Sequence, residues 1–398
     1  MIYKQVRSLK SFFFQNIFIF TIIFLGLISI ALLWTKRQAE VAEYTLEALF
    51  MIYAFLGFWW TKRQKIIPSI LFIRYFSILY LVLSYLYAVS YKGANVQDFL
   101  LIYKFVIYLF FLTFLTGKEL MTFQGTNRLF FVVLGLFFTK YLAAIVVMHE
   151  NRPILYMENN FELMFVYALY LVRYSVTREK ALLILAFVGL ITILSLSRSS
   201  LLMYSVLVLF VFYDLFERTR VFIIPGAILV LGVVAYVVFS QRSDSLEDVD
   251  RYRFMLVWWT QVKDWNIFEW LLGAPRVSRL SGGACSYMNY FKMMFSRSGD
   301  GTCYSVVLHS FLLRVIYDHG LLVLFFIVYS CYKLLVKSGV RKDVSLVFIS
   351  IVLINGLSVS SFNNLFFAVS MVFLMTTNLR FLEPEENEEK YKHKLGTE

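Results

Sequence analysis

The sequence lacks the short motifs that hold nucleotides and metal ions. It contains no glycine-rich phosphate-binding loop, no Gly-x-Ser-x-Gly turn and no pair of histidines or cysteines at metal-ligand spacing. The acids between Asp244 and Asp250 form the clearest carboxylate cluster, but such a cluster is equally suited to solvating a loop. We therefore expect no metal ion and no cofactor. The missing nucleotide motif also argues against an ATP-driven transporter and against a transferase that uses a nucleotide sugar.

Charged residues are scarce too. They make up 16% of the 398 residues, whereas 60% are hydrophobic, compared with about 45–50% in a soluble domain. The chain shows no repeat of fixed period and no stretch that resembles a soluble domain. We predict an all-α polytopic integral membrane protein.

Apolar runs long enough to cross a bilayer, which takes about 20 helical residues, recur along the chain. We predict twelve crossings. Ten or eleven are the alternatives, because two runs are short and one break, near Ser360, has to be assumed. The runs cover residues 12–34, 44–60, 70–90, 98–116, 128–148, 161–176, 181–196, 199–216, 221–239, 309–333, 344–359 and 363–381.

The distribution of Lys and Arg among the short loops predicts the orientation. These residues are denser in alternate loops, starting with the N-terminal segment, which places both termini in the cytoplasm. The net charge of +12 follows from this topology, so we expect no nucleic-acid partner. The predicted units are a bundle of about nine helices over 1–239, a large external loop over 240–308, C-terminal transmembrane helices over 309–382 and a cytoplasmic tail over 383–398.

Two of the three cysteines, Cys285 and Cys303, lie in the external loop. An oxidising compartment permits a disulfide between them, which would close a loop of about 18 residues and contribute about 3 kcal/mol. Two free thiols are the alternative.

His309 is the sharpest catalytic candidate, because it stands where the external loop meets the next apolar run. Its position fits either an interfacial hydrogen-bonding residue or a general base that titrates near neutral pH. Further along the same run, Asp318 and His319 are interpreted as an intramembrane polar pair that supports the site.

Five arginines near the external surface are candidates for binding an anion. Arg198 joins two apolar runs so tightly that its guanidinium must lie at the bilayer boundary, where it either snorkels or binds an anion. For Arg251, Arg253, Arg276 and Arg279, pairing with the acidic cluster is the alternative. Guanidinium groups match phosphate oxygens in bidentate fashion. A lipid-linked phosphate or diphosphate is therefore the expected ligand.

The external loop also carries a helical pattern that begins at Asp250, next to Arg251. Apolar residues recur at spacings of three and four, which predicts a helix over Asp250–Trp265 with one apolar stripe, suited to lying along the membrane interface. The stripe comprises Tyr252, Met255, Leu256, Trp259 and Val262.

Three parts of the chain, in this order, resemble the O-antigen polymerase and ligase superfamily of bacterial surface-polysaccharide assembly. The likeness extends over about Ser197 to Leu324. This chain departs from the family pattern at Ser310, where Asn is commoner, and at Asp318, where Glu is commoner. The matching segments are Ser197-Arg198-Ser199-Ser200-Leu201-Leu202; Arg251-Tyr252-Arg253 with Leu271-Leu272-Gly273; and His309-Ser310-Phe311-Leu312-Leu313 with Asp318-His319-Gly320-Leu321-Leu322.

The resemblance implies a metal-independent glycosyltransferase of GT-C-like fold in the bacterial inner membrane. Its substrate would be an oligosaccharide linked to undecaprenyl diphosphate at the periplasmic face. By this likeness, Arg198 and one of Arg251 and Arg253 hold the diphosphate, and His309 activates the acceptor hydroxyl. Arg276 and Arg279 are added from charge and position alone.

Within that family we predict a Wzy-type polysaccharide polymerase, which transfers the polymer to the nonreducing end of a new lipid-linked repeat unit with inversion at the anomeric carbon. The resemblance also implies a Wzz-type chain-length regulator as partner. A ligase that transfers the glycan to lipid A core is the closest alternative. A flippase of lipid-linked oligosaccharide is the alternative of another class, supported by Arg74, Lys104 and Lys140 within apolar runs.

Overall fold

The computed structural model describes residues 2–31, 40–60, 67–149, 153–178, 181–215 and 250–378. The predicted run 221–239, most of the acidic cluster and the tail 383–398 lie outside the described residues. The helices are α1 (Ile2–Ala31), α2 (Glu40–Trp60), α3 (Pro68–Tyr85, continued by a π-helical turn Leu86–Tyr91), α4 (Val96–Leu112), α5 (Phe123–Met148), α6 (Asn159–Val176), α7 (Ala181–Leu194), α8 (Arg198–Leu215), α9 (Asp250–Val262), α10 (Ile267–Leu272), α11 (Gly282–Tyr287), α12 (Phe311–Lys337), α13 (Lys342–Ser358) and α14 (Leu365–Thr376). Short 3-10 helices cover Asn289–Met294, Ser305–Leu308 and Ser361–Asn363.

The described part of the chain is all-α and has no β-strand beyond two isolated bridges. Within the described ranges, four helical segments are long and apolar enough to cross a membrane, which agrees with the predicted class of membrane protein, while the number of twelve crossings stays a prediction. The break assumed near Ser360 is present, since α13 ends at Ser358 and a 3-10 turn precedes α14. The four segments are Pro68–Tyr91, Phe123–Val147, Arg198–Leu215 and Phe311–Lys337; shorter apolar helices cover Gln15–Ala31, Ala181–Leu194 and Leu365–Thr376.

The centre of the bundle is formed by α6 and α14. Every residue of α14 is buried, and so is almost every residue of α6. A helix that is apolar on all sides must be surrounded by other helices or by lipid, and α6 and α14 are buried within the protein. These two helices pack against each other, α12 and α8 pack against α13, and α3 packs against α4 at the edge. Consequently α3 keeps large exposed apolar side chains, including Phe72 and Leu79.

Helix α12 is kinked at Gly320, where the backbone leaves the helical conformation with φ 78° and ψ 174°. The turn that follows α10 crosses α12 at Gly320. A Cβ atom on Gly320 would lie 2.3 Å from the main-chain oxygen of Leu271, and one on Gly273 would lie 2.6 Å from the nitrogen of Gly320. Both glycines have positive φ, which disfavours side chains. The amide of Ala274 donates to the oxygen of Tyr317 over 2.7 Å and fixes the crossing.

Residues 250–308, the described part of the predicted external loop and called the external segment below, fold onto the N-terminal part of α12. Residues from α9, α11 and the following loop form a small apolar cluster that includes Phe254, Val262 and Leu280. Cys285 and Cys303 form a disulfide in this segment, with Cα atoms 6.0 Å apart.

The helix predicted from Asp250 is present as α9, and its predicted apolar stripe is divided between the surface and the interior: three of its residues are exposed, whereas Val262 is buried. Phe254 and Val257 are buried against the protein, whereas Met255, Leu256 and Trp259 are exposed. The helix is apolar on two sides, and spacing alone does not tell which side meets the protein. The inward side is set by the packing of α9 against α12 and the 3-10 turn before it.

Candidate functional site

His309 lies between the 3-10 turn Ser305–Leu308 and α12, with φ 53° and ψ −35°. A residue with a β-carbon rarely adopts this region, so the surrounding contacts must hold it there. The half-buried imidazole lies with its Nε2 atom 2.8 Å from the sulfur of Met294. Its ring centroid is 5.7 Å from that of Phe254 on α9.

The segment after His309 is fastened to the end of α13. The hydroxyl of Ser310 caps α12 by accepting from the amide of Leu313, and it donates to the oxygen of Gly356 over 3.0 Å. The amide of Phe311 donates to the oxygen of Val359 over 3.1 Å. The first turn of α12 therefore has a fixed position relative to the connection between α13 and α14.

Three ionisable side chains follow on the buried face of α12: Arg314, Asp318 and His319, each at most 3% exposed. Arg314 donates from Nη1 to the hydroxyl of Ser360 over 2.7 Å. Asp318 accepts from the hydroxyl of Ser305, in the turn just before His309. Arg314 and Asp318 are one helical turn apart, so they occupy the same face.

His319 belongs to an aromatic cage rather than to the surface. Its Nδ1 atom is 2.7 Å from the hydroxyl of Tyr80 on α3. The edges of Tyr103 and Phe105 on α4 surround the ring, with centroid distances of 4.7 Å and 5.2 Å. These contacts join α12 to α3 and α4.

Arg276 links the external segment to this buried region. Its Nη1 atom donates to the oxygen of Leu272 over 2.9 Å and to the oxygen of Asp318 over 3.0 Å. Its guanidinium lies over the ring of Tyr80 at 5.3 Å from the centroid. A half-buried cation is thus positioned by two carbonyl groups and one aromatic face.

The same guanidinium lines an open groove of about 690 Å³ between α3 and the segment from α10 to Arg276. Exposed apolar side chains form much of its rim, among them Leu83, Phe268 and Leu272. The groove therefore combines apolar walls with one basic group, Arg276, and one acidic group, Glu269, whose carboxylate accepts from the amide of Asn266 over 2.8 Å. Its lining comprises Tyr80, Leu83, Ser84, Tyr87, Asn266, Phe268, Glu269, Leu272, Gly273, Ala274, Pro275 and Arg276.

Arg198 is the first residue of α8 and is half-buried. The hydroxyls of Ser197 and Ser199 on either side of it donate to the side-chain oxygen of Asn160 on α6. The side-chain amide of Asn355, on α13, donates to the main-chain oxygen of Asn160 over 3.2 Å. The Ser-Arg-Ser turn and the segment that holds His309 are consequently fixed to the same end of α13.

The other three predicted arginines occupy different surroundings. Arg251 is exposed and Arg253 is half-buried, both at the start of α9 near Phe254, whose ring packs on His309. Arg279 is exposed and takes part in a backbone bridge with Tyr304. Burial raises the pKa of the Tyr304 hydroxyl above its ordinary value. Arg279 does not line the groove.

Asp318 is thus the residue that connects the predicted site residues. Its carboxylate bonds to Ser305, four residues before His309, and its main-chain oxygen bonds to Arg276. Sequence reasoning missed Arg314 and Ser360. Arg314 carried a usable signal, since a charged residue inside an apolar run is expected to face a functional or paired environment. Ser360 carried none, because its partners are distant in sequence.

No known protein family matches this chain, and no curated protein has a matching sequence.

Proposed function

We propose that the protein is a membrane glycosyltransferase that polymerises oligosaccharide repeat units linked to undecaprenyl diphosphate. The observation that supports this most is the groove of about 690 Å³ that Arg276 lines, whose guanidinium bonds to the helix that begins beside His309. A largely apolar groove with a cation in its lining matches a ligand with a long hydrocarbon chain and an anionic head.

The proposed chemistry uses these groups in a direct way. As the diphosphate leaves the anomeric carbon it gains negative charge, and a fixed guanidinium stabilises that charge. Arg276 has the positioning for this role, with Arg198, Arg251, Arg253 and Arg279 as the wider set taken from the sequence.

His309 takes the proton of the attacking sugar hydroxyl. Its Nε2 atom now lies beside the sulfur of Met294, so the acceptor hydroxyl must displace this side chain. Met294 is 45% exposed, and a flexible methionine side chain can move aside at low cost.

The proposal retains the sequence-based topology. Twelve crossings of the bacterial inner membrane, both termini in the cytoplasm and the 240–308 segment in the periplasm would put the groove and His309 at the outer leaflet. A disulfide in that segment is consistent with a periplasmic location. A chain-length regulator remains a proposed partner.

The flippase alternative loses one of its three supporting cations in the described residues. Lys104 pairs with Glu43 and Glu47 at 3.2 Å and 2.9 Å, so it is neutralised within the bundle. The other two cations also have protein partners: Lys140 donates to the oxygen of Ser29, and Arg74 donates to the hydroxyl and oxygen of Thr113. A transported diphosphate would need cations along its path.

Purified protein in detergent, supplied only with lipid-linked repeat units, tests the proposal. A polymerase yields a ladder of longer lipid-linked glycans. A flippase leaves the substrate unchanged, and a ligase forms product only when lipid A core is added. Absence of any ladder, with folded protein and intact substrate, would reject the polymerase assignment.

A further inference from the structure

The position of His309 depends on residues that the sequence did not single out. Its φ of 53° is unfavourable for a side chain with a β-carbon. The carbonyl oxygen of His309 accepts from the hydroxyl of Ser360 over 3.0 Å, and this same hydroxyl accepts from Nη1 of Arg314 over 2.7 Å. A buried guanidinium is thus connected to the backbone of the proposed base through one serine.

The guanidinium of Arg314 has few other partners. It is 3% exposed, and among the described residues its Nε and Nη2 atoms make no hydrogen bond. The ion pairs found in those residues do not include it. Burying a cation with so few partners is costly. Its best-defined contact is the hydrogen bond to the hydroxyl of Ser360.

Asp318 holds the chain segment that precedes His309. It lies one helical turn beyond Arg314 and accepts from the hydroxyl of Ser305, four residues before His309. The two buried residues therefore hold the backbone before and after His309, one through Ser305 and the other through Ser360.

We propose that Arg314, acting through the Ser360 hydroxyl, is a positioning residue that fixes the backbone of His309 so that its imidazole points at the acceptor. This inference rests on the proposed function, in which His309 is the general base. Arg314 and Ser360 contact neither the acceptor nor the leaving group in this proposal. Losing the hydroxyl would let the strained turn relax and move the ring away from its productive position.

Ser360→Ala is the decisive variant, because it removes one hydroxyl at a half-buried position and leaves the buried guanidinium in place. We expect kcat to fall by roughly ten- to a hundredfold, with KM and membrane abundance unchanged. The midpoint of thermal unfolding should fall as well, because Nη1 of the buried Arg314 loses its hydrogen bond to Ser360. Ser360→Thr keeps the hydroxyl and should restore most of kcat. The matched control is Ser361→Ala: Ser361 is buried, and its hydroxyl makes no hydrogen bond among the described residues. We expect this control to keep wild-type kcat.

A wild-type kcat in Ser360→Ala would overturn the proposal. So would equal losses of kcat in Ser360→Ala and Ser361→Ala, since they would indicate packing rather than the hydroxyl.

A second measurement works even if the wild type makes no polymer and the proposed function fails. Modification of histidines by diethyl pyrocarbonate, resolved by mass spectrometry, reports the surroundings of each ring. We expect Ser360→Ala to change the modification rate at His309 several-fold while the rate at the exposed His149 stays constant. An unchanged rate at His309 would overturn the positioning role independently of any enzyme assay.

Discussion

Arg276 donates a hydrogen bond to the main-chain oxygen of Asp318 over 3.0 Å, although 42 residues separate them. The bond joins the turn after α10, which lines the groove, to the kinked region of α12. At the same crossing, the backbones of Gly273 and Gly320 approach too closely for either to carry a side chain. The guanidinium of Arg276 is therefore held by main-chain oxygens, whose positions do not depend on side-chain rotamers.

Replacing Arg276 with lysine should lower kcat/KM for polymer formation by about a hundredfold, because a point charge cannot form the guanidinium fork and its two carbonyl bonds together. Initial rates with purified lipid-linked repeats measure the effect. Arg297 serves as the control, since it is an exposed arginine of the same external segment that does not line the groove. Arg297→Lys should keep the wild-type rate. Equal rates for the two variants would remove Arg276 from the site.

Blocking the groove should weaken substrate binding without changing the chemical step. Leu83→Trp places a large ring in the groove lining, and we expect KM for the lipid-linked substrate to rise about tenfold with kcat nearly constant. Leu79→Trp is the matched control, because Leu79 is an exposed residue one turn earlier on α3 that is absent from the lining. If both variants kept the wild-type KM, the lipid chain would have to follow another path.

The position of His309 could be predicted from the sequence, whereas the contact between Arg314 and Ser360 could not. His309 was found because the change from a polar loop to an apolar run marks a membrane boundary, which is a local signal. The partnership of Arg314 with Ser360 was not found, because it spans 46 residues and depends on where the connection after α13 returns. The spacing on α9 predicted the helix but not that Phe254 and Val257 face the protein, since both sides of the helix are apolar and only tertiary packing selects one.

His309→Ala should reduce polymer formation by about 10²- to 10⁴-fold, because the acceptor hydroxyl would lose the group that takes its proton. Membrane abundance should be unchanged, since the half-buried imidazole has no place in the central packing of α6 and α14. His149→Ala is the control: His149 is an exposed histidine at the end of α5 with a similar positive φ. Full-length polymer from the His309 variant would refute its assignment as general base.

The disulfide between Cys285 and Cys303 should stabilise the external segment rather than take part in the reaction. It closes a separation of 18 residues, for which loop-closure entropy gives about 3 kcal/mol. It also joins α11 to the strand-like contact where Leu280 donates to the oxygen of Cys303 over 3.0 Å. Changing both cysteines to serine should therefore make the external segment more sensitive to limited proteolysis, with kcat unchanged in the fraction that remains folded. The buried Cys331 provides the control, since Cys331→Ala alters a thiol outside that segment. Wild-type protease resistance in the double variant would show that packing alone holds the segment, and that the bond adds nothing to its stability.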